Sequence, residues 1–384
     1  MPMRCFLLAL GLVLLVSRMV AACSLCGGNF RLSPTFRQEA ASRNARVILH
    51  GTISNPRLKG DGRSGETDFE VQTILRAHEA IKGKKSLTLP RYLPVENQDK
   101  PPQYLLFCDE DKTGLDPYRG VPVRGPRTVE YLTKALKLDP KDSVGNLLFF
   151  FNYLDDPDPE VSRDAFLEFA QANDTDVAAV APKLQAAKIR TWLRDPKTQP
   201  ARLGIYAMLL GACGQASDAA LLLELLRSPE DRYKEAADGI LAGYLRLEPK
   251  KGWKLLHDIL ADGTQPLTLR LKALGTLRFE FNAHPKQSRD EISKVMKTIL
   301  NQGELADIAI EDMRSWKIWD HTDQVIQLYN QKGFDAPIVQ RAILRYALSC
   351  PPTPASRAFL TQRRKLEPEL VQDVLEGLKL ERGD

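Results

Sequence analysis

The polarity of the chain changes period twice. Residues 6–16 carry only apolar side chains and glycine, behind a single positive charge at Arg4. That run is too short to span a bilayer as a mature helix, and the charged start ahead of it predicts a signal peptide over residues 1–22. From about residue 45 to residue 123, apolar positions tend to alternate: VILHGTI at 47–53, TDFEV at 67–71, SLTL at 86–89 and QYLLFC at 103–108. Turn signals separate these runs at Asn55-Pro56, Gly60-Asp61-Gly62 and Pro101-Pro102. Four or five short strands without a helical pattern among them predict a small β-barrel.

From about residue 143 the period becomes helical, and the helices repeat. Small residues stand in similar settings at Ala165, Gly204, Gly239, Ala273, Ala309 and Ala342, separated by 39, 35, 34, 36 and 33 residues. A period this steady predicts a helical solenoid of about six helix pairs over residues 143–384, in which each small residue lets neighbouring helices approach. Basic residues at Arg163, Arg202, Arg270 and Arg341 fall just ahead of four of them. Asp158 before Pro159 predicts an N-cap and a first helical position, and Ser217 predicts a second cap. The stripes Leu203, Tyr206, Leu210, Cys213 and Val339, Ile343, Tyr346, Cys350 mark buried faces, and Pro351-Pro352 stops the second helix. Residues 127–142 are expected to connect the two regions.

With 43% hydrophobic and 27% charged residues, wholesale disorder and collagen are excluded. Residues 23–126 carry a net +4 and the remainder of the mature chain a net −1, too little bias to argue for a nucleic-acid partner.

The leader ends Val20-Ala21-Ala22-Cys23, which suits cleavage before Cys23 and also resembles a bacterial lipobox, whose cysteine is acylated. Either route implies an exported protein, in the cell envelope or secreted, and acylation would anchor it to a membrane through Cys23. Cys23 and Cys26 at the mature N-terminus, then ARVILHGTI, TDFEVQTILRA, a basic hairpin and QYLLFC, together resemble the netrin-like module over residues 23–126. That family implies an OB-type barrel of the kind found in tissue inhibitors of metalloproteinases. Those inhibitors carry Cys-x-Cys, whereas Cys23-Ser-Leu-Cys26 has one residue more. The helical region resembles HEAT repeats with a shortened period. The fold class is therefore multidomain β + α, a small OB-type barrel followed by a HEAT-like solenoid.

Cys213 and Cys350 lie four repeats apart, beyond the reach of a disulfide, and are expected as buried thiols. A bridge to Cys108 is expected in an oxidising compartment: from Cys26 if Cys23 is acylated, from either cysteine if it is not. Cys23-x-x-Cys26 is followed by glycine, which excludes covalent haem attachment, and no second pair completes a zinc site. Asp109-Glu110-Asp111 lacks the spacing of a calcium loop. Trp316 and Trp319 belong on a helix face, His50 on the barrel, and Asn173-Asp174-Thr175 fits a glycosylation sequon. Serine-elbow, P-loop and His-Glu-x-x-His motifs are missing, so no catalytic residue, cofactor or metal is expected. The basic loops holding Arg57, Lys59, Arg63 and Lys82, Lys84, Lys85 are candidates for a ligand face on the barrel.

The expected function is a non-catalytic binding or scaffold protein acting on another envelope or extracellular protein. The rival is a metalloprotease inhibitor with a free Cys23 amine directed at the protease zinc. A third reading, an enzyme of unfamiliar type, asks for perturbed titratable groups gathered in one place.

Overall fold

A computed structural model describes residues 33–41, 45–60, 62–111 and 114–382. The expected signal peptide, Cys23 and Cys26 lie outside the described residues.

Helix α1 (Phe36–Ala41) opens the described chain. Thr35 Oγ1 accepts the Gln38 N–H and Gln38 Oε1 accepts the Thr35 N–H, each at 3.1 Å, a reciprocal cap that fixes the first turn. Five antiparallel strands follow: β1 (Val47–Leu58), β2 (Gly65–Arg76), β3 (Ser86–Leu89), β4 (Gln103–Asp111) and β5 (Gly114–Val123), in the order β3-β2-β1-β4-β5. Strand β1 runs through Asn55-Pro56, which was expected as a turn. Asn55 adopts φ +48°, and the β1–β2 register shifts between Ser54 and Arg57, so the pair forms a bulge inside a longer strand. β4 pairs with β1 only as far as Thr52, which leaves Pro56 on a one-sided stretch where its missing N–H costs no ladder bond. Gly51 sits at a second irregularity, and a Cβ there would lie 1.9 Å from the Glu70 carbonyl oxygen.

Alternation sorts the sheet into two faces. Val47, Leu49, Ile53, Phe69, Leu106 and Cys108 gather with Ile81 and Leu89 into one apolar cluster. Ile48, Leu105, Phe107, Val121 and Val123 point the other way, into a cluster shared with Phe36 and with the helices that follow.

The first of those helices, α2 (Pro126–Ala135), occupies the expected connector. Tyr131, Leu132 and Ala135 are buried, so the segment belongs to the core. It is followed by α3 (Ser143–Phe151), α4 (Pro159–Ala170), α5 (Asp174–Val180), α6 (Ala186–Arg194), α7 (Pro200–Cys213), α8 (Asp218–Arg227) and α9 (Asp231–Glu235). The remainder are α10 (Ala237–Leu247), α11 (Pro249–Ala261), α12 (Leu267–Ala283), α13 (Pro285–Ile299), α14 (Gly303–Ser315), α15 (Thr322–Gln327), α16 (Pro337–Ser349), α17 (Pro354–Leu366) and α18 (Pro368–Arg382). Proline opens many of them, where its fixed φ favours the helix and its missing N–H leaves no bond unmade. Asp158 caps α4 as expected, accepting the Glu160 N–H at 2.9 Å. Ser217 does not cap α8; Asp218 Oδ2 reaches back to the Gln215 N–H at 2.8 Å instead.

Two layers form. In one, α7, α10 and α12 lie side by side, as do α14, α16 and α18, and Arg278–Asp312 at 2.9 Å ties α12 to α14. In the other, α11 packs on α13 and α15 on α17, with Ser293 Oγ 2.9 Å from His321 Nε2 joining α13 to α15. The small residues occupy the contacts: Ala165, Ala273, Ala309, Ala342 and Gly239 are buried. At Gly239 an added Cβ would stand 2.4 Å from both Cα and O of Gly204, so α7 and α10 meet backbone to backbone. Leu241 and Leu245 face one core cluster while Ile240 and Tyr244 face the other, which makes α10 the seam of a continuous interior from the sheet to α18.

Candidate functional site

The ligand-face candidates occupy two levels of the sheet. Arg57 on β1 donates to both carboxylate oxygens of Asp68 at 2.7 Å, and Lys59 pairs with Glu66 at 3.0 Å. The Arg57 guanidinium holds Asp68 down at about 2. Arg63 lies in the same hairpin. Lys82 pairs with Glu79 at 3.6 Å, while Lys84 and Lys85 are exposed. The Val71 N–H donates to the Lys85 carbonyl, which sets this loop about 17 Å along β2 from Glu66. The structure therefore ties Arg57 and Lys59 to acids of β2 and does not converge the two loops on one point.

Cys108 stands opposite Val47, fully buried, as a free thiol. Burial, with Asp116 nearby, pushes it up to about 12, so it is a poor nucleophile there. The expected bridge to Cys23 or Cys26 lies outside the described residues. Cys213 and Cys350 are free thiols; Cys350 is buried as expected, whereas Cys213, at the end of α7, is only half-buried. Asp109 and Glu110 both face Arg46, at 3.6 and 3.2 Å. Trp316 and Trp319 lie past the end of α14 and not on a helix face. Trp316 stacks on Phe281 with centroids 4.6 Å apart, Trp319 meets Tyr346 edge-on at 4.9 Å, and His50 Nε2 lies 3.2 Å from Gln103 Oε1. Asn173 is exposed and caps α5 by accepting the Asp176 N–H at 2.8 Å.

Two clusters of titratable groups went unread in the sequence. The first fastens α1 between sheet and helices. On α4, beside the buried Ala165, Asp164 accepts the Phe36 backbone N–H and the Tyr131 hydroxyl, each at 2.7 Å. One turn on, Glu168 pairs with Arg37 at 2.8 Å. On the other side of α1, Glu39 accepts the Tyr118 hydroxyl at 2.6 Å and pairs with Arg119 of β5 at 3.0 Å. The Arg119 guanidinium lies 5.3 Å from the rings of both Phe36 and Phe107. Burial dominates at Asp164 and raises it to about 7, against the pull of its two hydrogen-bond donors. Burial beside Asp164 likewise raises the Tyr131 hydroxyl. An apolar pocket of about 510 Å³ opens beside α1, floored by Leu75, Leu136 and Leu138 with Arg37 and Arg76 at its rim.

The second cluster joins three helices. Glu280 and His284 of α12 lie 3.1 Å apart, with Arg246 of α10 and Asp174 of α5 within electrostatic reach. Burial raises both carboxyls, and Arg246 and His284 oppose that rise. Perturbed carboxyls gathered in one place are what a catalytic reading asks for. These groups come from α5, α10 and α12, beside the apolar contact of Met208, Ala242 and Phe279. The only sequence signal for either cluster is an acid among the apolar positions of a helix: Asp164 within VSRDAFLEFA, Glu280 within TLRFEFNA.

No helix of the described residues is long and apolar enough to cross a membrane. Among known proteins, the chain matches neither a family model nor a curated protein.

Proposed function

We propose that this is an exported, non-catalytic binding protein in which an OB-type, netrin-like barrel precedes a HEAT-like solenoid. Its partner is another envelope or extracellular macromolecule, engaged by the long surface of the stacked helices and by the barrel loops over residues 57–63 and 82–85. One observation carries the reading. Joins between neighbouring units recur at a fixed interval: Lys272–Asp238, Arg278–Asp312 and Arg345–Glu311 each link residues 34 positions apart. Together with Gly239 resting on Gly204, this supports a repeating stack, and a stack offers extended surface in place of an enclosed pocket. The test is in-cell photo-crosslinking from exposed positions of α12, α16 and α18, such as Leu271, Ile338 and Leu380, with the mass of the N-terminal peptide read from the same preparation. One recurring partner, lost when the crosslinker is moved into the core, supports the reading. Turnover of a substrate without such a partner overturns it.

A further inference from the structure

Folding separates charge that the sequence average hides. The layer formed by α11, α13, α15 and α17 carries a formal +7, whereas the facing layer of α10, α12, α14, α16 and α18 carries −1. In α11 three lysines stand against Asp258, and in α13 three lysines and Arg289 stand against Asp290 and Glu291. Helix α17 holds three arginines and Lys365 with no acid at all. Several of these cations are engaged: Lys251 with Glu248, Lys254 with Asp258, Lys294 with Glu291 and Arg363 with Glu367. Six are exposed and have no ion-pair partner among the described residues: Lys250, Lys286, Lys297, Arg357, Arg364 and Lys365.

Helix stability accounts for Lys297, Arg364 and Lys365, which lie in last turns where a cation is favoured, but not for the two lysines in first turns. Lys250 and Lys286 each follow the opening proline, in a first turn that holds no acid, where the positive end of the helix dipole disfavours a cation. Four side-by-side helices at about 10 Å spacing make a face roughly 30 Å across. Its exposed positions include no aromatic ring, and Leu366, 62% exposed, stands next to Arg364 and Lys365.

We infer that the α11–α13–α15–α17 face docks on an anionic lipid bilayer. Broadly spread lysines act as point charges toward a plane of phosphates, and an exposed leucine beside them suits the headgroup boundary. A single-stranded nucleic acid would ask instead for rings on which bases stack. The inference stands on charge placement and not on the proposed acyl anchor.

The test uses the full chain carrying Cys23→Ser, so that no acyl group contributes. Any effect of the N-terminal apolar run is then common to parent and variant. Vesicles of phosphatidylcholine alone, or with about 30% phosphatidylglycerol, are sedimented with the protein at about 0.1 M salt. The parent is expected to sediment with the anionic vesicles preferentially, and less so as salt rises. Each cation at such a surface raises partitioning roughly fivefold, so Lys286→Gln, Lys297→Gln and Arg364→Gln together lower it on the order of 100-fold. The single variant Lys286→Gln, which removes a cation from a helix start, should leave the Tm unchanged or slightly higher. Equal sedimentation with both vesicle types, unchanged partitioning of the triple variant, or displacement from vesicles by a short oligonucleotide would each overturn the inference.

Discussion

Replacing Asp164 with asparagine should stabilise the protein increasingly as pH rises. In the folded chain burial raises this carboxyl from 3.8 to about 7. Between those values the folded state holds a proton that the unfolded chain has released, so stability falls as pH rises through the interval. The contribution is fully present below about 3.8 and is lost once pH passes about 7. At 1.36 kcal/mol per pH unit, the ceiling on that loss is about 4 kcal/mol. Asparagine keeps the geometry: Oδ1 can still accept the Phe36 N–H, and Nδ2 can donate to the Tyr131 hydroxyl oxygen. It cannot ionise. Near pH 4.5 the variant should therefore be close to the parent, and by pH 8 it should be the more stable protein. Denaturant unfolding followed by circular dichroism from pH 4.5 to 8.5 gives the difference curve. Asp174, Glu280 and Asp312 are also raised by burial and slope the same way, but they cancel in that difference. Hydrogen exchange of residues 33–41 supplies the local readout, because Phe36 donates to the very group being changed. Parallel curves for parent and variant across the whole interval would refute the argument.

At Gly239 a methyl group meets the backbone of Gly204 rather than a movable side chain, so Gly239→Ala should cost roughly 1–3 kcal/mol, read as a lower Tm. Gly275→Ala on α12 is the contrast: the nearest atoms lie 3.7 Å away on Asp238, and the same measurement should show a gain of up to about 1 kcal/mol. Tyr346→Phe leaves the Ile318 carbonyl without its 2.7 Å partner and should destabilise by about 1–2 kcal/mol in denaturant unfolding. In reduced native protein at pH 8, Cys108 should react with iodoacetamide on the order of 1,000-fold more slowly than a free thiol, and at the ordinary rate once unfolded, as followed by peptide mass.

The legible strands are short runs that alternate or are continuously apolar and are bounded by turn residues. Val47 to Ile53, Thr67 to Val71, Ser86 to Leu89 and Gln103 to Cys108 all fall inside observed strands. β5 was hidden because GLDPYRGVPV carries two prolines and two glycines, which an edge strand tolerates and a sequence pattern reads as loop. Asn55-Pro56 misled for a related reason, since a bulge and a turn use the same residues. Helix α2 reads as a connector in the sequence because its apolar positions are few, although Tyr131 is among the largest fully buried side chains. The helix caps divide instructively: Asp158 behaves as its position suggests, while Ser217 yields to the acid that follows it, whose reach is set by Arg190 at 2.5 Å. The titratable clusters leave only an acid among apolar helix positions as their mark in the sequence. Asp164 meets Phe36 across 128 residues, and no local period encodes a contact that only packing creates.

The placement of Tyr131 bears on how the polypeptide is made. Its ring touches Phe36 ahead of the sheet and Phe149, Phe150 and Tyr153 behind it. A ribosome or translocation channel releasing the chain from its N-terminus delivers the strands first, with one side of the sheet still wet. That side stays bare until α4 has emerged to supply Asp164. For an interval of synthesis the nascent sheet thus needs either a chaperone or a fast arrival of the next fifty residues, and drugs or mutations that slow elongation between β5 and α4 should raise its aggregation more than delays placed later.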